Sequence, residues 1–172
     1  MENKSLKQII ANRLEKLDKI RQLGVNPYPY EFNVTHSTSD ITKDKVDKKV
    51  SVAGRVMSLR KMGKAAFANI QDAHGRVQLY IARDDVGEDN YSLFKLVDIG
   101  DFIGIDGVVF ITKTDELTVK AENVTMLSKN LRPIPDVKEK DGEKYNSVSD
   151  KELRYRKRYL DMIINPETKD NY

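Results

Sequence analysis

The sequence contains no cysteine, and its two histidines, His36 and His74, lie far apart in the chain. A chain without cysteine has no disulfide framework, no thiol nucleophile and no thiolate metal site. Two distant histidines without cysteine partners do not make a zinc-binding set. These absences give no support to a metal site, and nothing in them argues for an oxidising compartment, so the expected location is cytoplasmic.

Long apolar runs are also missing from the 172 residues, which are 39% hydrophobic and 33% charged and have a mean hydropathy of −0.60. No run is long enough to cross a bilayer, and the first ten residues lack the apolar core of a secretory signal. There is no phosphate-binding glycine loop, no nucleophile elbow and no other catalytic constellation. We therefore expect a soluble protein with one core domain, no membrane partner and no catalytic residues in this chain.

The N-terminal segment predicts an amphipathic helix over roughly residues 5–23. Ser5 and Gln8 have the spacing of a capping box, while Gly24 and the following Pro27 give a stop signal. Apolar residues recur at three- and four-residue spacing: Leu6, Ile9, Ile10, Leu14, Leu17, Ile20 and Leu23. Cations fall between them: Lys4, Lys7, Lys16 and Lys19. Such a basic face is either only solvated or contacts RNA, and the helix alone does not decide between the two.

Between Val50 and Ser128 the apolar pattern changes to period two, with glycine and aspartate as punctuation. This pattern predicts strands at about 50–60, 65–71, 76–83, 101–112 and 117–127, with a short helix near 89–97. Five short strands with one helix between the third and fourth are typical of the OB-fold. The predicted fold class is therefore mainly β, a five-stranded Greek-key barrel preceded by the amphipathic helix.

After the barrel, residues 132–150 are rich in proline, glycine, serine and charge and have no apolar periodicity, which predicts a linker. A helical pattern then resumes and stops at Asn165-Pro166, which predicts a C-terminal linker helix. These features divide the chain into an N-terminal helix with its connecting segment (1–49), an OB domain (50–130) and a linker region (131–172).

The predicted hairpin around residues 72–75 places an aromatic side chain away from the core. With a four-residue loop, three pairs share this outer face: Gln71 with Arg76, Asn69 with Gln78, and Phe67 with Tyr80. The alternate positions form an aliphatic core face: Ala66, Ala68, Ile70, Val77, Leu79 and Ile81. An aromatic ringed by amides favours base stacking, and packing of Phe67 beneath a loop or the N-terminal helix is an equal alternative.

A group of cations lies at the end of the first predicted strand and in the turn that follows: Arg55, Arg60, Lys61 and Lys64. No acidic residue occurs between Ser51 and Gln71, so this edge would attract phosphate, although lysines also commonly guard a strand edge. The barrel face, the aromatic residue and the cations together favour binding of a single-stranded nucleic acid.

Several long strings carry a family resemblance: PYPYEF at 27–32, AGRVMSLRKMGKAAFANIQDAHGRVQLYIARDD at 53–85, KTDELTV at 113–119, LRPIPD at 131–136 and ELRYRKRYLDMI at 152–163. Over nearly its whole length the sequence closely resembles lysyl-tRNA synthetases of class II. The resemblance implies an N-terminal domain that binds the tRNA anticodon, then a hinge that leads to a catalytic domain. The family's three catalytic motifs would follow the last residue, so this chain alone is expected to be inactive. ATP and magnesium are implied for the complete enzyme, which attaches lysine to tRNA, and no cofactor is implied for this chain.

By position, the family's anticodon-reading residues fall on four side chains: Arg60, Phe67, Gln78 and Glu116. Phe67 would stack on a base, and the polar side chains would select it, because uracil offers two carbonyl acceptors and one N3–H donor. The resemblance thus implies a U-rich lysine anticodon as the partner. Weaker candidates for RNA contact are Asn69, Arg76, Lys61, Lys64 and the helix cations Lys4, Lys7, Lys16 and Lys19.

One position departs from the family, since Asp115 stands where a glycine usually precedes the glutamate. Aspartyl- and asparaginyl-tRNA synthetases read the same central uracil, so Phe67, Gln78 and Glu116 alone do not exclude those families. Two further alternatives stay open: a free-standing OB protein without sequence preference, and a chain that mainly makes protein contacts. The second of these is consistent with the homodimers that the resemblance implies.

Overall fold

The computed structural model of the protein describes residues 5–135, 137–140, 143–146 and 155–165. The chain divides into two compact units, Met1–Arg132 and Pro133–Tyr172. The first unit contains α1 (Leu6–Gln22), two 3-10 turns (Thr38–Asp40 and Lys43–Lys45), β1 (Lys49–Met62), β2 (Ala65–Gln71), β3 (Arg76–Ala82), α2 (Arg83–Val86), α3 (Glu88–Lys95), β4 (Phe102–Ile111) and β5 (Leu117–Ser128). The second contains β6 (Val137–Lys140), β7 (Glu143–Asn146) and α4 (Arg158–Ile164).

Strands β1 to β5 form a closed barrel in the order β1-β2-β3-β5-β4. Neighbouring strands are antiparallel except β3 and β5, which pair in parallel. Strand β1 closes the barrel because its first half pairs with β4 and its second half with β2, with a bulge between Val56 and Ser58 that bends the strand. The predicted OB-type barrel is confirmed, and each strand lies within two residues of its predicted bounds.

The β2-β3 hairpin has the predicted register, so Phe67 pairs with Tyr80 on the outer face. All six residues of the predicted aliphatic face are buried in the barrel core. The turn is held by Asp72, whose Oδ1 accepts the backbone N–H groups of His74 and Gly75 at 2.7 and 2.9 Å. The same carboxylate accepts the Thr38 N–H at 2.7 Å, which ties the preceding segment to this turn.

The region between β3 and β4 packs against the core of the barrel. It contains α3, predicted within two residues, and the short helix α2, which the sequence pattern did not reveal. Three side chains of α3 are buried, namely Tyr91, Leu93 and Phe94. The Tyr91 hydroxyl donates to the Gly63 carbonyl at 2.9 Å, so the helix is also anchored to the β1-β2 turn.

Helix α1 begins and ends as its capping residues predict. Ser5 and Gln8 form the reciprocal capping box. At the other end Gly24 has φ +75°, its N–H bonds to the Arg21 carbonyl at 2.9 Å, and the Val25 N–H bonds to the Ile20 carbonyl at 3.3 Å. This pair of hydrogen bonds is the Schellman motif, which favours glycine at the left-handed position.

Fewer residues of α1 are buried than its apolar pattern predicts. Leu17 and Ile20 are buried, and Arg13 is buried beside them, donating to the backbone carbonyls of Asn130 and Ile99 at 3.0 and 3.1 Å. Three of the apolar residues that the pattern includes are exposed instead: Leu6, Leu14 and Leu23. An arginine therefore takes part in fixing the helix to the barrel domain.

A group of charged side chains lies beside the docked helix: Lys16, Asp98, Asp101 and Lys129, which we name the buried ion cluster. The side chains of Lys129 and Asp101 have no exposed surface, and Nζ lies 2.6 Å from Asp101 Oδ2 and 2.7 Å from Asp98 Oδ2. Lys16 completes the cluster by pairing with Asp98 Oδ1. Asp101 also accepts the N–H groups of Asp98 and Asn130, each at 2.8 Å, so both oxygens of its carboxylate accept hydrogen bonds.

In the second unit, β6 and β7 pair as an antiparallel hairpin inside the predicted linker, where the sequence pattern did not indicate strands. Helix α4 ends at Ile164, with Asn165 as its C-cap, as predicted. Residues 147–154, before this helix, lie outside the described residues. Within the described ranges, no helix is long and apolar enough to cross a membrane.

Candidate nucleic-acid interface

An open cavity of about 760 Å³, here named the cleft, lies on the outer face of the barrel. It is lined by β1, β2, β3, the end of β4 and the loop that leads into β5. Its lining residues are Ser58, Leu59, Arg60, Phe67, Asn69, Gln78, Tyr80, Phe110, Thr112, Lys113, Thr114 and Glu116. The four residues that the family resemblance implies as anticodon readers therefore line one cavity.

Three aromatic rings form a row across this face of the barrel. The ring centroids of Phe67 and Tyr80 are 5.1 Å apart, and those of Tyr80 and Phe110 are 6.2 Å apart. Each ring is half-buried, so part of its surface is open to the cleft. Phe110 was not singled out in the sequence. Its position directly after the buried Val109 is the signal of an outward-facing residue, because successive side chains of a strand point to opposite faces.

Arg60 is exposed at the edge of this row and pairs in register with Phe67 on the neighbouring strand. Its guanidinium carbon is 5.8 Å from the Phe67 ring centroid, at the outer limit for a cation–π contact. In the part of the chain that the structure describes, no carboxylate lies within ion-pair distance of Arg60. The charge is thus placed beside the stacking surface, where it can meet an RNA phosphate or base.

Gln78 and Glu116 approach the cleft from two different elements. Gln78 is half-buried on β3, and its Nε2 donates to the Thr118 hydroxyl on β5 at 2.9 Å. Glu116 is exposed in the loop between β4 and β5, where its backbone N–H bonds to Thr112 Oγ1 at 3.1 Å and its carbonyl accepts the Thr112 N–H at 3.0 Å. These backbone bonds fix the loop and leave the Glu116 carboxylate to face outward.

Asp115 is exposed in the same loop and has φ +60°, in the left-handed region that favours glycine. Its N–H bonds to the Thr112 carbonyl at 3.0 Å, which closes the turn. This conformation is the physical reason why a glycine fits the position, and Asp115 introduces both backbone strain and a negative charge next to Glu116.

Among the weaker candidates, Asn69 lines the cleft and donates to Ser58 Oγ at 2.9 Å. Arg76 lies near the hairpin turn, does not line the cleft, and donates to Gln71 Oε1 at 2.6 Å. Lys64 is exposed in the β1-β2 turn and also does not line the cleft. The structure therefore brings Asn69 to the four readers and leaves the other two at the margins.

Two of the predicted strand cations are engaged elsewhere. Lys61 donates to the Lys95 carbonyl at the end of α3 at 2.9 Å, and partial burial of its ammonium, with the like charge of Lys16, lowers its pKa. The Arg55 guanidinium lies 4.4 Å from the Phe102 ring centroid, and burial lowers its pKa. Both cations contact the barrel end or wall rather than the cleft.

The predicted basic face of α1 is partly neutralised. Lys16 belongs to the buried ion cluster, and Lys19 pairs with Glu15 at 2.7 Å. Lys7 is exposed, whereas Lys4 lies outside the described residues. No group of three or more metal-binding side chains occurs in the described ranges.

Comparison with known proteins agrees with the barrel fold. Residues 50–127 match a family described as an OB-fold nucleic acid binding domain. The chain is 43% identical over 175 residues to a lysine–tRNA ligase of Carboxydothermus hydrogenoformans, covering 100% of this chain and 34% of the relative. It is 43% identical over 182 residues to that of Bacillus cereus (100% and 35% covered) and 45% identical over 172 residues to that of Fervidobacterium nodosum (95% and 32%).

The chain thus spans about a third of the length of the curated relatives that it matches. The match extends along the whole of this chain, and the domain match covers β1 to β5 almost completely. The chain is therefore similar along its whole length to about a third of the length of these lysine–tRNA ligases, and residues 50–127 match the family of OB-fold nucleic acid binding domains.

Proposed function

We propose that the chain binds the anticodon loop of a lysine tRNA in the cleft, with a preference for uracil. The observation that carries this proposal is the convergence of Arg60, Phe67, Gln78 and Glu116 on one open cavity with an aromatic floor. Their roles come from the family resemblance, whereas their convergence is a property of the fold. The nucleic acid binding family of the domain and the names of the relatives support the same function.

Different residues of the cleft would provide affinity and base selectivity. Phe67 would stack on a base, which contributes about 1–3 kcal/mol whatever the base is. Arg60 supplies N–H donors for a uracil carbonyl or a phosphate, and the Glu116 carboxylate supplies an acceptor for the N3–H. Cytosine lacks that N3–H donor, so the polar side chains would discriminate against it.

We further propose that the chain acts as the tRNA-reading part of a lysine–tRNA ligase, as the names of its relatives suggest. The complete ligase would use ATP and magnesium to attach lysine to the tRNA, would work in the cytoplasm and would form a homodimer. No cleft residue is assigned to the ATP-dependent step. The aspartyl and asparaginyl alternatives receive no support from the relatives, which carry the lysine name.

The test is equilibrium binding of a labelled anticodon stem-loop RNA with a UUU anticodon, compared with the same RNA carrying cytosine at the central position. Parent chain and Phe67→Ala are measured at low and high salt. We expect the parent to prefer the central uracil, and Phe67→Ala to lose about 1–3 kcal/mol of binding free energy with either RNA. Tyr30→Ala is the matched control, because Tyr30 is a fully exposed aromatic outside the cleft.

Two results would contradict the proposal. Equal binding of the two RNAs, with affinity that depends only on salt, would indicate a basic surface without sequence preference. An equal loss in Phe67→Ala and Tyr30→Ala would place the stacking surface outside the cleft.

A further inference from the structure

We propose that Thr118 is a positioning residue that fixes the side-chain amide of Gln78 so that the cleft selects uracil over cytosine. This inference rests on the proposed function. Thr118 lies on β5, is completely buried, and is the register partner of Gln78 in the parallel β3-β5 pair. It does not line the cleft, so it would act on RNA only through Gln78.

The orientation of the amide follows from the single proton of the Thr118 hydroxyl. That hydroxyl donates to the Glu116 carbonyl at 3.2 Å. Once its proton is used there, Oγ1 is only an acceptor towards Gln78, 2.9 Å away. An amide oxygen at this position would face a lone pair, so the NH₂ group of Gln78 must face Thr118.

The carbonyl oxygen of Gln78 is then on the side of the amide that points away from Thr118, because the two groups diverge from one carbon. Gln78 lines the cleft and is half-buried, so Oε1 is the atom that a bound base meets. An acceptor in this position suits the N3–H of uracil, which Oε1 would share with the Glu116 carboxylate in a three-centre hydrogen bond. The same acceptor opposes the N3 lone pair of cytosine, which makes the fixed amide a discriminating contact.

Thr118 also joins the two readers that come from different elements. Its hydroxyl contacts Gln78 on β3 and the backbone of Glu116 in the β4-β5 loop. Without it, the Glu116 carbonyl keeps its bond from the Thr112 N–H, so the loop remains closed. The Gln78 amide, in contrast, loses the hydrogen bond that holds it and can rotate to present either N–H or C=O to the base.

The experiment measures the ratio of affinities for the central-U and central-C stem-loops in the parent, Thr118→Val and Thr118→Ser. Valine keeps the shape and removes the hydroxyl, so we expect the U-over-C ratio to fall about tenfold, as for the loss of one hydrogen bond, with an unchanged salt dependence. Serine restores the hydroxyl and should retain the parent ratio. Thr125→Val, on the same strand but outside the cleft lining, is the matched control and should also retain it.

The failures of the two proposals are distinguishable. A parent chain that binds both RNAs equally overturns the proposed function and this inference with it. A parent that prefers uracil, with Thr118→Val keeping that preference, overturns only the positioning role.

A second measurement decides the matter if Thr118→Val does not fold at the binding temperature. In the ¹⁵N-labelled parent, one Nε2 proton of Gln78 should exchange with water more slowly than the side-chain protons of Gln22, which is exposed on α1. Equal exchange in Gln78 and Gln22 would show that the amide is not held, and would overturn the inference.

Discussion

The cleft and the buried ion cluster both combine cations with carboxylates, but they place them differently. In the buried ion cluster, Lys129 and Asp101 are completely buried and 2.6 Å apart. In the cleft, Arg60 and Glu116 are exposed, and neither side chain forms an ion pair within the described part of the chain. The charges of the buried ion cluster pair with one another, whereas those of the cleft are available to a ligand.

The difference shows how one small domain can fix its structure and still keep charges available for RNA. A charge removed from water must be paired, because an unpaired buried ion costs several kcal/mol. An exposed charge has no such need, and it contributes little to folding whether it is paired or not. We therefore expect substitutions in the buried ion cluster to change stability, and substitutions in the cleft to change binding.

The largest expected effect on stability is that of Lys129→Met. The substitution leaves the Asp101 carboxylate buried without its cation, and breaking a buried pair in this way costs about 3–5 kcal/mol. Urea denaturation of the two proteins measures the free energy of unfolding. Lys49→Met is the control, because Lys49 pairs with Glu122 at the surface and should cost less than about 1 kcal/mol. Similar losses of unfolding free energy in the two variants would contradict the inference that the buried ion pair stabilises the fold more than an exposed one.

Acid should weaken the buried ion cluster next. Partial burial raises the pKa of Asp98, but hydrogen bonds and charges from Lys129 and Lys16 outweigh it, so the pKa is below its usual value. A carboxylate with a lowered pKa stabilises the fold above its unfolded pKa, about 3.9, and this contribution is lost as the pH falls through the folded pKa. Urea denaturation between neutral pH and about pH 3 should show a smaller acid loss for Asp98→Asn than for the parent.

The exposed Glu31, in the segment between α1 and β1, provides the reference for that experiment, since Glu31→Gln should leave the acid loss nearly as it is in the parent. Some of the loss will persist in Asp98→Asn. The pKa of Asp72 is also lowered, because hydrogen bonds from Thr38, His74 and Gly75 outweigh the effect of its partial burial. Identical pH profiles for the parent and Asp98→Asn would show that the buried ion cluster does not contribute to the loss of stability in acid.

A smaller effect, of opposite sign, is expected at Asp115 beside the cleft. Asp115→Gly relieves the left-handed backbone but adds freedom to the unfolded chain, so we expect a net gain on the order of 0.5 kcal/mol. Both Asp115→Gly and Asp115→Asn remove a negative charge and should bind the stem-loop RNA more tightly at low salt. Only the glycine variant should be more stable, and a gain of the same size in Asp115→Ser, which removes the charge but keeps the left-handed strain, would mean that charge limits stability.

The sequence predicted the aromatic face of the cleft, because this face depends on strand periodicity. The four-residue turn and period-two pattern were enough to place Phe67 opposite Tyr80, outside the core. The roles of Gln78 and Glu116 came from the family resemblance, because a polar residue on a strand or in a turn carries no local mark of a ligand site.

The buried ion cluster could not be predicted in the same way. Lys129 and Asp101 are 28 residues apart, and a buried lysine has the same sequence signature as an exposed one until the barrel closes. The local sequence does not indicate a role for Thr118 for a related reason. Its hydroxyl reaches Gln78 only because β3 pairs in parallel with β5. Contacts between distant segments, rather than local pattern, account for what the sequence did not reveal.

The smallest effect on stability, and the sharpest test of the comparison, is expected for Glu116→Gln. The loop around Glu116 is closed by backbone bonds to Thr112, and its carboxylate is exposed, so the free energy of unfolding should change by less than about 0.5 kcal/mol. The glutamine amide can turn a donor or an acceptor towards the base, so the preference for the central-U RNA should fall. Glu122→Gln, on β5 outside the cleft, should leave that preference intact.

If Glu116→Gln instead reduced stability as Lys129→Met does, the cleft would be part of the framework of the fold. The separation between its binding charges and the paired charges of the buried ion cluster would then not hold.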